Sequence, residues 1–340
     1  MKRKRGNSLL RSLLLGTLLL MGANLAHATF PGKNGRIAFI QDSELFTMNP
    51  DGTSLVQLTH LGPDNSAAWP AWSADGKQIV FNEFPPPQGV AQIWAMNADG
   101  SNQHLVLAES DFAENRPSFS PDGSKIVFGR CDLNIGDHDT CAIYTIGANG
   151  GNLQAITAFH EDTTARNPVY SPDGKTLAFI ISPDVQHGFQ GVTYLVNADG
   201  SNMRRITQPG PCLIRPDWSP DGAKITTFAH FCNPQNETIA VMNADGTGLH
   251  YLTDNGLDYF NGPHDRNPAF SPDGNFIVFE RHSPDFSNSG IYVMKADGTQ
   301  PHPVVMLPGE KKANAKTNLR SWLKLIEDGG NTPRWGVAHE

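Results

Sequence analysis

Short runs of alternating apolar and polar residues recur along the chain, separated by turn residues. Examples are Ile79-Val80-Phe81, Ile126-Val127-Phe128 and Ile277-Val278-Phe279. Alternation with a period of two is typical of β-strands, and the Asp-Gly and Asn-Gly dipeptides between the runs supply the positive φ that tight hairpins need. The pattern predicts an all-β chain of short antiparallel strands.

The strands belong to a repeat marked by the tetrapeptide Ser-x-Asp-Gly. It occurs at Ser73–Gly76, Ser120–Gly123, Ser171–Gly174, Ser219–Gly222 and Ser271–Gly274, with Lys33-Asn34-Gly35 as a degenerate first copy. A second turn follows in each repeat, as at Asp99-Gly100 and Asp245-Gly246. Each repeat thus encodes four strands, a to d, with strand a before the tetrapeptide. The six copies predict a six-bladed β-propeller of four-stranded blades.

The two ends of the chain are expected to complete this fold together. The first repeat lacks strand a, and Thr332–Gly336 resembles the Pro-x-aromatic-Ser pattern of strand a with Gly in place of Ser. We expect this C-terminal strand to close the first blade and remove a free edge. Recurring aromatics are interpreted as the core between blades: Trp72, Phe119, Tyr170, Trp218 and Phe270. Helical spacing of Leu319, Trp322, Leu323 and Ile326 predicts one amphipathic helix at about 311–327.

The N-terminal segment has the pattern of a secretory signal peptide. Five basic residues precede an apolar run, and Ala26-His27-Ala28 resembles a cleavage site. We therefore expect a signal peptide at 1–28, a propeller at 29–340 and a periplasmic or secreted protein, with no membrane span after cleavage. Removing the five basic residues takes the net charge from −8 to −13, which argues against nucleic acid as a partner. We expect a monomer.

The repeat resembles that of TolB-like propellers. The shared features are Pro-x-Trp-Ser-Pro-Asp-Gly-x-x-Ile-x-Phe, then Ile-Tyr-x-Met-Asn-Ala-Asp-Gly, then Leu-Thr, and they cover nearly the whole predicted mature chain. Complete TolB carries an α/β domain before its propeller, so the resemblance implies a propeller-only relative. It also implies binding of protein partners at the channel mouth.

The candidate site lies on the face that carries the b–c and d–a loops, here called the loop face; the opposite face carries the tight turns and is called the turn face. Four arginines precede strand a. Arg116 and Arg215 stand one residue before the proline of their repeat, whereas Arg166 and Arg266 stand two before it. Strand alternation sends the two sets in opposite directions, so one pair is a candidate to bind a carboxylate and the other to brace loops.

Further candidates for ligand binding on the loop face are Arg130, Arg281, His230 and His264. The alternative is a set of solvated loops held by internal salt bridges. The segment Asp132–Asp139 has oxygen ligands that suit Ca²⁺ but lacks the spacing of an EF-hand, so a polar loop is the alternative there. No cofactor is predicted, and calcium is left open.

Four cysteines are expected to form two disulfides in an oxidising compartment. Cys131 and Cys141 bracket one b–c loop, and Cys212 and Cys232 lie at the loop-face ends of neighbouring strands. The alternative is four free buried thiols.

Two functions remain open. The favoured one is a binding or scaffold module that engages an envelope or extracellular protein, a peptide or a small acidic ligand at the loop face. The alternative is an enzyme with its site in the channel funnel, such as a polysaccharide lyase or hydrolase. No catalytic residue is predicted, and the chain has no Gly-x-Ser-x-Gly sequence.

Overall fold

The computed structural model describes residues 30–86, 89–134, 140–159, 163–183, 191–208, 212–229, 237–253, 262–308 and 334–337. The predicted signal peptide at 1–28 and the predicted helix at 311–327 lie outside these residues. Every regular element in the described ranges is a β-strand. Within them, no helix has the length and apolar character needed to cross a bilayer.

Four of the repeats form separate four-stranded antiparallel sheets. The first contains β1 (Asn34–Gln41), β2 (Glu44–Met48), β3 (Val56–Gln57) and β24 (Arg334–Val337). The second contains β4 (Ala67–Trp72), β5 (Gln78–Glu83), β6 (Gln92–Asn97) and β7 (His104–Leu107). The fifth repeat contains β16 (Leu213–Trp218), β17 (Lys224–Ala229), β18 (Thr238–Asn243) and β19 (His250–Tyr251). The sixth contains β20 (His264–Phe270), β21 (Phe276–His282), β22 (Asn288–Lys295) and β23 (His302–Pro308).

The third and fourth repeats share one eight-stranded sheet. Its first half is β8 (Phe112–Phe119), β9 (Lys125–Asp132), β10 (Thr140–Gly147) and β11 (Gln154–Ala155). Its second half is β12 (Thr163–Tyr170), β13 (Thr176–Pro183), β14 (Val192–Asn197) and β15 (Arg204–Arg205). A parallel pairing of Cys141 with Thr164 joins the halves. The prediction of six separate four-stranded sheets is therefore wrong in this detail, because strand c of the third repeat pairs with strand a of the fourth.

The C-terminal strand completes the first sheet, as predicted. In β24, Trp335 pairs with Ile37 and Arg334 with Ala38 of β1. The Trp335 indole Nε1 donates to the Gly35 carbonyl at 3.1 Å. Strand a of the first repeat thus comes from the other end of the chain.

The core consists of six hydrophobic clusters, each between the strands of neighbouring repeats. One of them packs Ile37, Phe39 and Trp335 of the first sheet against Val278 and Ile291 of the sixth, so the ring of repeats closes. The recurring strand-a aromatics are all buried in such clusters, which confirms their interpretation as core: Trp72, Phe119, Tyr170, Trp218 and Phe270.

Each Ser-x-Asp-Gly turn is built from the same hydrogen bonds. In the third repeat, Ser120 Oγ donates to Asp122 Oδ1 at 2.6 Å and accepts from the Lys125 amide at 2.9 Å. The Gly123 amide donates to the Ser120 carbonyl at 2.9 Å with φ of 69°. The serine hydroxyl therefore links the turn to the start of strand b by a hydrogen bond, and Gly123 adopts the left-handed conformation without a steric penalty.

Candidate functional site: the central channel

Strand a of every repeat from the second to the sixth carries an irregularity at its proline. The register shifts there in β4, β8, β12, β16 and β20. The residue before the proline has positive φ in all five: Trp69, Arg116, Asn167, Arg215 and Asn267, at 49° to 56°. Such a conformation costs a non-glycine residue about 1–2 kcal/mol, and strained residues of this kind concentrate at functional sites.

These strands surround a central channel. Residues of strand a from all six repeats line its cavity: Trp69–Trp72, Arg116–Ser118, Asn167–Val169, Arg215–Asp217, Ala269–Phe270 and Arg334–Trp335, together with Phe30. Two of the four strand-a arginines, Arg116 and Arg215, belong to this lining. Arg166 and Arg266, one position earlier, do not.

Arg116 is held in the channel wall by an aromatic neighbour. Its guanidinium lies 4.5 Å from the ring centroid of Trp69, within the range of a cation–π contact. Its backbone amide donates to Asn82 Oδ1 at 2.8 Å, which fixes the bulged main chain. The side chain remains half-buried.

Arg215 is held by polar neighbours from the next repeat. Its Nη1 donates to Asn267 Oδ1, and Asn267 Nδ2 donates to Glu280 Oε2 at 2.8 Å. Its guanidinium also lies 5.8 Å from the Phe228 ring centroid. Only 7% of Arg215 is exposed. The two channel arginines are therefore positioned by different chemistry.

An ion pair joins the channel walls one position after the proline. Arg334 of the closing strand places Nη1 3.4 Å from Asp217 Oδ1 in the fifth repeat. Asp217 Oδ2 accepts from the Phe270 amide at 3.0 Å. This pair was not foreseen, although both residues occupy the position between proline and the aromatic residue in the repeat pattern.

Two further arginine candidates, Arg266 and Arg281, form internal ion pairs. Arg266 pairs with buried Glu237, and its guanidinium lies 5.2 Å from the Phe286 ring centroid. Arg281 forms a bidentate pair with Asp265 at 2.6 and 2.7 Å. Arg166 is half-buried on β12. The contacts of Arg266 and Arg281 brace strands, and ligand binding by all three arginines stays a prediction.

Arg130 lies between two carboxylates beside the third-repeat loop. Its Nη2 is 2.6 Å from Glu109 Oε2, and its Nη1 is 3.1 Å from Glu114 Oε1. Burial raises the pKa of Glu114 to about 8, while Arg130 acts to lower it and Glu109 to raise it further. Arg130 also lies 3.8 Å from the Phe112 ring centroid.

His264 is fully buried and stacks on Phe286, with ring centroids 4.6 Å apart. Its Nδ1 lies 3.5 Å from Glu237 Oε2. Burial lowers the pKa of His264 to about 4, against the opposing effect of Glu237. The imidazole is therefore neutral at pH 7. His230 lies outside the described residues.

The turn that carries Phe286 was missed at the sequence level. Ser283 Oγ donates to Asp285 Oδ1 at 2.7 Å and accepts from the Asn288 amide at 3.0 Å, as in the Ser-x-Asp-Gly turns. Phe286 takes the glycine position with φ of 54°. The signal was Ser283-Pro284-Asp285, which repeats the tetrapeptide except for its glycine.

One predicted disulfide is confirmed: Cys131 and Cys141 are bonded across paired positions of β9 and β10. Cys212 is also disulfide-bonded, and its predicted partner Cys232 lies outside the described residues. In the part of the chain that the structure describes, no three His, Cys, Asp or Glu side chains are placed to hold a metal ion. Residues 135–139 of the segment Asp132–Asp139 lie outside that part, so calcium there stays an open question.

The ring of antiparallel sheets around a channel defines a β-propeller. Residues 103–319, more than half of the chain, match the family described as the TolB beta propeller domain. The chain belongs to this family, which confirms the resemblance seen in the repeats.

Individual relatives agree with that assignment. An uncharacterized protein of Agrobacterium fabrum, Atu1656, is 31% identical over 175 residues, which cover 48% of this chain and 58% of that protein. The Tol-Pal system protein TolB of Francisella tularensis is 26% identical over 240 residues, or 67% of this chain and 51% of that protein. The chain thus spans about half the length of these curated relatives.

Among solved structures, the crystal structure of TolB from Acinetobacter baumannii matches with a TM-score of 0.64 and 23% identity. The match covers 89% of this chain and 67% of that one. At this identity the likeness shows the fold. These matches do not favour the enzymatic alternative.

Proposed function

We propose that this chain is an exported binding module, periplasmic or secreted, that engages a protein or peptide partner at the loop face of its channel. The partner contributes an acidic group, which Arg116 and Arg215 bind. The observation that carries the proposal is the presence of these two cationic side chains in the channel wall, in a chain whose mature net charge is expected to be −13.

The chemistry of the lining supports an acidic peptide. A guanidinium binds a carboxylate through two parallel hydrogen bonds, and such charge-assisted bonds are stronger than neutral ones. Trp69 adds an apolar surface beside Arg116, and Asn167 adds an amide in the same layer of the lining. An extended segment with a carboxylate therefore suits the channel better than a wholly apolar ligand.

The wider family supports an envelope partner by analogy. One relative is named as a Tol-Pal system protein, and function is transferred from a fold only as a hypothesis. For the architecture, we propose six blades, two of them joined in the eight-stranded sheet. The six inter-repeat clusters support that count.

The test begins with capture of partners from envelope extract by the mature protein. The double variant Arg116→Ala/Arg215→Ala is expected to weaken binding of a captured partner by about 1.5–3 kcal/mol for each arginine, because charge-assisted bonds are lost. Isothermal titration calorimetry with the purified partner measures the change, after thermal melts have shown that the variant is folded.

Two controls separate the channel from the rest of the molecule. Asn97→Ala removes a 2.9 Å bond to Ser101 in a turn-face hairpin and should leave binding unchanged. Arg166→Ala/Arg266→Ala tests the arginines outside the channel lining. Normal partner binding by Arg116→Ala/Arg215→Ala would contradict the proposed site.

A further inference from the structure

A buried polar chain leads from the channel into the interior of the sixth repeat. It begins at Arg215 on β16, whose Nη1 donates to Asn267 Oδ1 on β20. Asn267 Nδ2 donates to Glu280 Oε2 on β21 at 2.8 Å. The other carboxylate oxygen, Glu280 Oε1, lies 2.6 Å from His282 Nε2. The chain therefore crosses the boundary between two repeats.

All members of the chain are withdrawn from water. Glu280 is fully buried, and Asn267, His282 and Arg215 are 2%, 6% and 7% exposed. Burial raises the pKa of Glu280, but the charge and hydrogen bond of His282, with Arg266 and Asn267, outweigh it and lower the pKa to about 2. Glu280 is thus a carboxylate at neutral pH.

The chain has only one chemically consistent direction. A carboxylate accepts hydrogen bonds and a guanidinium donates them, whereas an amide does both. Asn267 must therefore turn its NH₂ group toward Glu280 and its oxygen toward Arg215. A glutamine at 280 would remove the negative charge of the acceptor, so that Asn267 Nδ2 would donate to a neutral amide oxygen and the anchor of the chain would weaken.

We propose that Glu280, acting through Asn267, is a positioning residue for Arg215. It fixes the plane in which the guanidinium is presented to the channel. The consequence for acidic ligands rests on the function proposed above. Arg116 is independent of this chain, since Trp69 and Asn82 hold it, and it serves as an internal reference.

The first measurement needs no ligand. In protein labelled with ¹⁵N-arginine, the side-chain Nε–H signal of Arg215 is identified by its loss in Arg215→Lys, and that of Arg116 in the same way. In Glu280→Gln the Arg215 signal should shift and broaden while the Arg116 signal stays in place. Asn267→Ser, too short to bridge, should have the same effect and replaces Glu280→Gln if that variant does not fold.

The matched control is Glu114→Gln, which also replaces a fully buried glutamate beside an arginine with its amide, but in the third repeat. It should leave the Arg215 signal unchanged. An Arg215 signal that is unaffected by both Glu280→Gln and Asn267→Ser overturns the positioning role. So does an Arg215 signal that responds equally to Glu114→Gln.

The second measurement uses fluorescein-labelled hexaglutamate as the probe, followed by fluorescence anisotropy at low ionic strength. Glu280→Gln should weaken its binding about tenfold, because one charge-assisted contact loses its alignment. Glu114→Gln should not. If the Arg215 signal shifts but the wild-type protein does not bind the peptide, the positioning role stands and the proposed acidic ligand is wrong.

Discussion

At the scale of single residues, Glu114 shows that burial can keep a carboxyl group protonated even when an arginine lies beside it. Arg130 faces two carboxylates, and the fully buried one carries the raised pKa of about 8. The ordinary pKa of a glutamate side chain is 4.5, so Glu114 loses its proton above that pH in the unfolded chain but keeps it in the folded protein up to about pH 8. The resulting stabilisation is complete below pH 4.5 and is lost as the pH rises through about 8.

We therefore expect the free energy of unfolding to fall between about pH 5 and pH 8 by up to a few kcal/mol through this group. Glu114→Gln cannot ionise and should lack that part of the fall. Urea unfolding of the wild-type protein and Glu114→Gln at several pH values measures it. An identical pH dependence in wild type and Glu114→Gln would show that burial does not protonate Glu114.

At the scale of elements, the threonine of the recurring Leu-Thr or Ile-Thr pair adds a hydrogen bond between strand d, which is very short, and strand c. Strand d has only two residues in four repeats, at β3, β11, β15 and β19. After each, a threonine hydroxyl accepts a backbone amide of strand c. Thr207 accepts from Thr193 at 2.9 Å and Thr253 accepts from Ile239 at 3.0 Å.

Thr253→Val keeps the shape but leaves the buried Ile239 amide without its acceptor. We expect a loss of about 1–3 kcal/mol in the free energy of unfolding, and less than about 1 kcal/mol for Thr253→Ser, which keeps the hydroxyl. Chemical denaturation of the two variants measures the difference. Equal losses of unfolding free energy in the two variants would mean that the hydrogen bond of the Thr253 hydroxyl does not stabilise the protein.

The same elements show what the sequence predicts and what it leaves out. The four-strand repeat was predictable because Ser120, Asp122 and Gly123 form a turn through local hydrogen bonds. The bulge before each proline was not, because it depends on contacts between repeats, such as the Arg116 amide with Asn82. The pairing of Cys141 with Thr164 could not be predicted either, because a single pairing between two repeats leaves no periodic pattern in the sequence. Strand alternation predicted that the two arginine pairs point in opposite directions, but not that Arg116 and Arg215 are the pair in the channel lining, nor that their partners are Trp69 and Asn267.

At the scale of the whole molecule, closure of the ring depends on a few residues at the C-terminus. Trp335 is buried between the first and sixth repeats, and Arg334 reaches Asp217 across the channel. Gly336 departs from the serine of the other repeats for a steric reason. A Cβ atom at 336 would lie 2.7 Å from Cδ2 and Cε2 of Trp72. The indole of the second repeat thus rests directly on the backbone of the closing strand.

Weakening this closure should therefore unfold the ring as a unit. Deleting residues 331–340 removes β24, exposes the edge of β1 and uncovers the cluster around Ile37, so we expect a lower melting temperature and aggregation.

Gly336→Ala is the milder test, and overpacking against Trp72 should cost about 1–3 kcal/mol. Gly123→Ala is its control, since no atom lies within 4 Å of its added Cβ and only the strain of its φ of 69° remains. Differential scanning calorimetry compares the three with the full chain. Because neighbouring clusters share strands around the ring, the loss should shift one transition and not split it. A truncated chain that melts like the full-length protein would mean that the ring is stable without its closing strand.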